Sequence, residues 1–274
     1  MLSRLGRQHR ECVLQTCKDE VIAVIEVHHG LVNIRRPFQY PGIFVGLDGY
    51  QHHHDKYAAP VLLVTESPHI EEFRVSNVSD FYTGDAVNAR PVNGASGRNI
   101  MLHLVTVIAR SGLFLPDGHY PVIVMNALQE QCSEGKDTLV CRTRNFLNLW
   151  EEKKTFLASR LADLTPLMVV SACTVGDFYQ DDGTAAYGDN GRFGFEANFH
   201  RLLTEAYQLK KAMDAEYFSF MATLDLAGLV LDVIHQSYAD TDIPVFKTTH
   251  PAAWRNRAPV LKRYATHRLF YERV

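Results

Sequence analysis

Four short apolar runs constrain this chain more than any other feature. They are PVLLVT (60–65), PVIVMN (121–126), PLMVVSA (166–172) and IPVFKT (243–248). Each is too short for a helix, and near-continuous apolarity is what a parallel strand buried on both faces requires. Each has proline at or beside its first position, where a residue that cannot donate to a ladder does least harm. Helix-like segments separate or succeed them. GRNIMLHLVTVIARSG (97–112), NFHRLLTEAYQLKKAMDAEY (198–217) and LDLAGLVLDVIHQSYAD (224–240) carry apolar residues at helical spacing. APVLKRYATHRLFYER (258–273) places Pro259 near a first helical turn, where its missing N–H does no harm. Alternating strands and helices predict an α/β fold: a three-layer αβα sandwich with a central four-stranded, mostly parallel sheet. This domain is expected over 60–274. Residues 1–59 read as an N-terminal helical and loop cap, helical to about His29 and then looped with a short strand, in one structural unit with the rest. The Gly- and Asp-rich segment 179–197 reads as a long surface loop of the kind that often carries function.

The chain has 274 residues, 46% hydrophobic and 22% charged, enough to bury a real core. No run approaches the ~18 apolar residues of a membrane helix. The N-terminal MLSRLGRQHREC lacks the apolar segment of a secretory signal, so a cytoplasmic protein is expected. The cysteines are Cys12, Cys17, Cys132, Cys141 and Cys173, an odd number that argues against a disulfide framework. Buried or incidental thiols are the expected reading; zinc or iron–sulfur ligation by Cys12, Cys17, Cys132 and Cys141 is the alternative. A net charge of −3 excludes a polycationic nucleic-acid coat. Residues 245–274 nevertheless hold seven cations, Arg255 and Arg257 among them, against the single acid Glu272. Such a patch suits phosphates, and a solvated helix face is the competing reading. Phosphate loops of the GxxxxGK type, GxGxxG, HExxH and GxSxG are absent. The histidine run at 52–54 reads as a solvated loop.

In parallel sheets ligands bind beyond the carboxyl ends of the strands. The residues just past each run are therefore informative. After the first comes Glu66-Ser67-Pro68-His69, and the second ends in Asn126. Cys173 and Thr174 come after the third, and His250-Pro251-Ala252-Ala253-Trp254 after the fourth. A carboxylate, an amide and an imidazole are expected to converge on one rim. Each has a plainer reading: a capping acid, a turn asparagine, a structural histidine.

In this order the motifs resemble the uracil-DNA glycosylase superfamily over roughly residues 60–272. LLVTESPH is similar to its first motif, and GASGRNIMLHL to the loop and helix that contact the DNA backbone. VIVMN resembles the strand ending in a base-reading asparagine, and THPAAW the His-Pro motif with its intercalating loop. The resemblance implies a monofunctional glycosylase that flips a pyrimidine out of DNA and leaves an abasic site. It implies that His250 stabilises the leaving base, that Asn126 reads it, and that Phe81 stacks on it. Glu66 would orient water, with Asp80 in reserve. Trp254 would fill the vacated stack as a wedge. Ser67, Pro68, Ser96, Gly97, Arg98, Arg255 and Arg257 would line the DNA backbone. No cofactor is expected, and the protein would act as a monomer.

The first motif departs from the best-known uracil-excising pattern, which has aspartate directly before the proline. Ser67 stands there, and the acid is one residue earlier. That resembles a branch with Glu-Ala-Pro whose members carry an iron–sulfur cluster, but the cysteine spacings differ and the cluster is not carried over. His69 occupies the position of a tyrosine that blocks 5-substituted pyrimidines. The second substrate expectation is accordingly a hypermodified base of phage DNA, such as glucosylated hydroxymethylcytosine, in antiviral defence. Two other readings remain open. One is a non-catalytic DNA-binding module of the same fold; the other is an unrelated α/β enzyme acting on a small phosphorylated or glycosidic substrate.

Overall fold

The computed structural model describes residues 16–37, 47–51, 56–73, 90–132, 138–174, 177–179, 185–187, 226–254 and 259–264. Its centre is a mixed seven-stranded sheet. In chain order the strands are β1 (Glu20–His28), β2 (Leu31–Arg35), β3 (Val61–Thr65), β4 (Gly118–Asn126), β5 (Met168–Thr174), β6 (Asp177–Tyr179), β7 (Ala185–Tyr187), β8 (Val245–Thr249) and β9 (Lys262–Arg263). The helices are α1 (Leu47–Gln51), α2 (Ala95–Arg110), α3 (Thr138–Ala162) and α4 (Leu226–Ser237). Strand order across the large sheet is β2-β1-β4-β3-β5-β8-β9, and β6 with β7 forms a separate two-stranded sheet.

The four apolar runs are the strands that pair in parallel: β4 with β3, β3 with β5, and β5 with β8. Their continuous apolarity has a physical cause. Leu62 and Val64 of β3 enter one core with Phe146, Trp150, Leu157 and Leu161 of α3 and Val230 and Ile234 of α4. Val61 and Leu63 enter a second core with Ile100, Leu104, Val107 and Ile108 of α2. Successive side chains of a strand point to opposite faces, so a strand covered on both sides must be apolar throughout.

Two expectations are corrected. The N-terminal region was expected to be helical to His29, but Glu20–Arg35 is a β-hairpin that widens the sheet beyond four strands. The stretch EVIAVIEVH is rich in β-branched residues, which favour a pleated surface. Its tight turn is made by His29 at φ 50° and Gly30 at φ 79°, with His28 paired to Leu31. Positive φ at both central residues is the turn whose twist matches a hairpin. The C-terminal helix expected over 258–273 is likewise not what the described part forms. Lys262–Arg263 pairs antiparallel with β8, and the Tyr264 N–H donates to the Val245 carbonyl at 2.8 Å. The open edge of β8 offers this segment a ladder of hydrogen bonds. The helix expected at 198–217 and most of the 179–197 loop lie outside the described residues.

The helix α3 was not anticipated, although Phe146, Trp150, Leu157 and Leu161 recur on one of its faces. Its position matters for the site. The chain leaves β3 for α2 on one face of the sheet and leaves β4 for α3 on the other. Adjacent parallel strands whose connections part to opposite faces open a crevice between their carboxyl ends. β3 and β5 are such a pair: the chain goes on to α2 on one face and α4 on the other, and their pairing stops at Val64 and Ser171, whereas β3 and β4 stay paired past Thr65 and Asn126. Among the described residues no helix is long and apolar enough to cross a membrane.

Candidate functional site

Thr65 and Asn126 are register partners at the ends of β3 and β4. Pairing continues one step further: the Ala127 N–H donates to the Thr65 carbonyl at 2.7 Å and the Leu128 N–H to the Glu66 carbonyl at 3.0 Å. The Thr65 hydroxyl donates to Asn126 Oδ1 at 2.6 Å, which fixes the plane of the amide. Asn126 is 2% exposed, and its Nδ2 has no hydrogen-bond partner among the described residues. An unmade bond on a buried donor costs roughly 1–3 kcal/mol, so the position is one that a ligand acceptor would stabilise. Glu66 is next to Thr65 in the chain and is buried there, at 3% exposure.

The backbone that carries Asn126 is held from beneath. Arg160, in the last turn of α3, donates through Nη2 to the carbonyls of Asn126 and Ala127, each at 2.9 Å. Its Nη1 reaches both oxygens of Asp19 at 2.7 and 2.8 Å. Gln129 adds a bond to Asp19 Oδ1 at 3.1 Å. Burial pushes the Asp19 carboxyl up, and the Arg160 guanidinium opposes that. The pair is sequestered, so it positions the strand end rather than meeting a ligand. Arg160 lies on the same stripe as Leu157 and Leu161, and a charge on an apolar stripe was the signal that could have revealed it.

His250 ends β8 and opens the short helical turn Pro251–Ala253. Its Nδ1 accepts from the Ala252 N–H at 3.2 Å, so in the neutral ring the proton sits on Nε2. Since β8 is two strands from β3, the imidazole stands on the same rim about 10 Å along it. The turn is tied to α2: Asn99 Nδ2 donates to the carbonyl of Pro251 at 2.8 Å and approaches that of Ala252 at 3.5 Å. The two segments that resemble DNA-contacting loops are thus joined, by a residue the sequence reading passed over.

The start of α2 is a tight construction. The Gly97 N–H donates to the Val92 carbonyl at 2.9 Å. A Cβ on Gly97 would stand 2.3 Å from that oxygen, so only glycine fits. Val92 has φ 51°, a left-handed conformation that costs a β-branched residue about 1–3 kcal/mol. Glu72 helps hold it. Its buried carboxylate takes hydrogen bonds from the backbone of Val92 and His69, while burial pushes its pKa up to about 8. Glu72 therefore joins the Ser67–His69 loop to the turn before α2. Ser96 and Gly97 are partly buried there, and Arg98 is exposed.

Trp254 requires a correction. The exposed wedge expected there is instead a core residue, at 0% exposure and packed in the α2-side core. Its indole N–H donates to the Thr249 carbonyl at 2.9 Å, which folds the ring back under the loop. The exposed residues of the turn are Ala252 and Ala253. Of the remaining expected residues, Pro68 is buried and Ser67 and His69 are partly buried beside Glu66. Asp80, Phe81, Arg255 and Arg257 lie outside the described residues.

Comparison with known proteins returned no match. No family model, curated protein or solved structure matches the chain. A buried amide, a buried carboxylate and an imidazole stand at or just past the carboxyl ends of β4, β3 and β8. Such a set can hold a planar polar ligand by its edge and stabilise charge that develops on it. Cys17 and Cys132 are buried, and the Cys132 thiol donates to the Glu130 carbonyl at 3.5 Å. The Cys17 thiol is pushed up by burial first, then by Glu72, Glu20 and Asp19. Cys12 and the side chain of Cys141 lie outside the described residues.

Proposed function

We propose that this chain is a monofunctional DNA glycosylase that excises a flipped pyrimidine. Water adds to the sugar C1′ as the C1′–N bond breaks, and the base departs with the bonding electrons and takes up a proton. An abasic site remains. Asn126 reads the base edge, its Nδ2 donating to a base carbonyl. Glu66 orients the water. His250 donates from Nε2 toward the base oxygen on which negative charge grows, a form of stabilisation that needs no charged imidazole. Ser96, Gly97 and Arg98 at the start of α2 meet the DNA backbone. The protein acts on DNA as a monomer, in the cytoplasm and without a cofactor.

One observation carries this reading. Asn126 is buried at the carboxyl end of β4, with Oδ1 pinned by Thr65 and Nδ2 without a partner among the described residues. The large majority of buried polar side-chain atoms have a partner, and an open amide donor at a strand end suits a ligand acceptor. Flipping a base costs a few kcal/mol of unstacking, and pre-set polar groups help recover it. Trp254 does not fill the gap in this conformation, so the reading assigns that space to the exposed Ala252-Ala253 turn.

The substrate is uracil or a pyrimidine with a polar C5 substituent. The second draws on the family resemblance, in which His69, partly buried here, stands where uracil-restricted members carry a blocking tyrosine. Labelled single- and double-stranded DNA carrying uracil, hypoxanthine, 5-hydroxymethylcytosine or its glucosylated form separates these choices when treated with hot alkali after incubation. Cleavage at one base, lost in His250→Ala, supports the proposal and names the substrate. Salt-sensitive DNA binding with no cleavage on any strand would instead favour a binding module.

A further inference from the structure

A second constellation lies at the other end of the sheet. β4 begins at Gly118 and ends at Asn126, so its first residues stand about 26 Å from the crevice. Just before it is Asp117, and across the ladder is the hairpin turn His28-His29-Gly30. His28 Nδ1 lies 3.9 Å from Asp117 Oδ2, and His29 Nδ1 lies 3.8 Å from the same oxygen. One ligand atom from each residue lies within 4.8 Å of the other two. We propose that His28, His29 and Asp117 form a binding site for a divalent transition metal.

Consecutive residues of an extended strand point to opposite faces and do not share a ligand. This turn defeats that rule. His29 has φ 50°, which swings its ring round beside that of His28, with centroids 4.1 Å apart. Its backbone N–H donates to Asp117 Oδ2 at 3.0 Å, which anchors the carboxylate between the two imidazoles. The side chains are 79%, 81% and 53% exposed, so a cation reaches them without opening the fold.

Two imidazoles and one carboxylate suit zinc, nickel or copper(II), and not the oxygen-only preference of calcium or magnesium. Metal–ligand bonds of about 2.0–2.1 Å set ligand atoms roughly 3.3 Å apart in a tetrahedron. Small rotations of three exposed side chains close that difference. Three protein ligands leave a fourth position for water or for a group from outside. The site would fasten the β1–β2 turn to the start of β4, so bound metal stabilises the folded chain by mass action.

The test is calorimetric titration of the metal-depleted full chain with zinc. Thermal unfolding with and without the metal is recorded alongside, and circular dichroism confirms that each variant is folded. His28→Ala, His29→Ala and Asp117→Asn are compared with a triple His52→Ala, His53→Ala, His54→Ala control. The proposal expects one zinc per chain, tenfold or greater loss of affinity in each of the three single variants, and unchanged binding in the triple control. Zinc should raise the unfolding temperature of the parent chain and not of His28→Ala. Cobalt substitution should give intense visible bands of low coordination number that vanish in Asp117→Asn. No zinc binding, or binding that survives all three single variants, or binding lost only in the triple control, would overturn it.

Discussion

Replacing Trp254 with alanine distinguishes a core residue from a DNA wedge. A buried tryptophan covers about 150–250 Å². At about 25 cal/mol per Å² that area is worth roughly 4–6 kcal/mol before the cavity relaxes. The bond from its indole N–H to the Thr249 carbonyl, made in a buried setting, adds about 1 kcal/mol. Large-to-small changes of this kind measure about 3–5 kcal/mol in practice. For a chain of this size that lowers the melting temperature by roughly 6–20 °C. Trp254→Phe keeps most of the apolar area and loses the hydrogen bond, so about 1–2 kcal/mol is expected. Urea unfolding followed by far-ultraviolet circular dichroism is the assay, because fluorescence would lose one of only two tryptophans. A loss below about 0.5 kcal/mol for Trp254→Ala, the range of an exposed substitution, would refute the placement of this ring.

The remaining predictions concern the supports of the site. Arg160→Met strands Asp19 and two carbonyls in the interior and should cost about 3–5 kcal/mol in urea unfolding; adding Asp19→Leu should recover part of it, and additive losses would contradict the coupling. Gly97→Ala places a Cβ against the Val92 carbonyl and should cost about 1–3 kcal/mol, whereas a neutral result would mean that this turn gives way easily. For Glu72 the folded carboxyl titrates at about 8, above its ordinary 4.5, so the folded state holds a proton that the unfolded state has already released. Its contribution is fully present below about pH 4.5 and is lost as pH rises to about 8, by up to about 1.4 kcal/mol per pH unit. Glu72→Gln should flatten that slope, and an unchanged slope between pH 5 and 8 would refute the assignment.

Legibility in the sequence tracked burial. The parallel strands were readable because both of their faces are covered and apolarity is continuous along them. Once the strands are placed, so are their ends, and the sequence alone sets Glu66, Asn126 and His250 on one rim. The hairpin at 20–35 was misread because its apolar residues cluster without alternation, and period alone then fails to separate helix from strand. β-Branched content and the His-Gly turn were the better guides. The described segment 259–264 was misread because helical periodicity in 258–273 says nothing of an open sheet edge nearby. Trp254 was misplaced for a related reason: spacing after a His-Pro pair sets position along the chain, but the bond to Thr249 sets where the ring points. Arg160, Asp19, Asn99 and Glu72 act across 33 to 153 residues or through backbone amides, and no local pattern encodes such partners.

The central claim is that Asn126 reads a base which is then released. The direct measurement is mass spectrometry of small molecules freed from DNA under single-turnover conditions, for the parent chain and for Asn126→Ala at matched folded concentration. A free pyrimidine should appear with the parent chain, together with an equal amount of abasic sites, and should fall at least about a hundredfold with Asn126→Ala. Equal release by both proteins, or DNA bound by the parent chain with no free base from any substrate, would contradict the account.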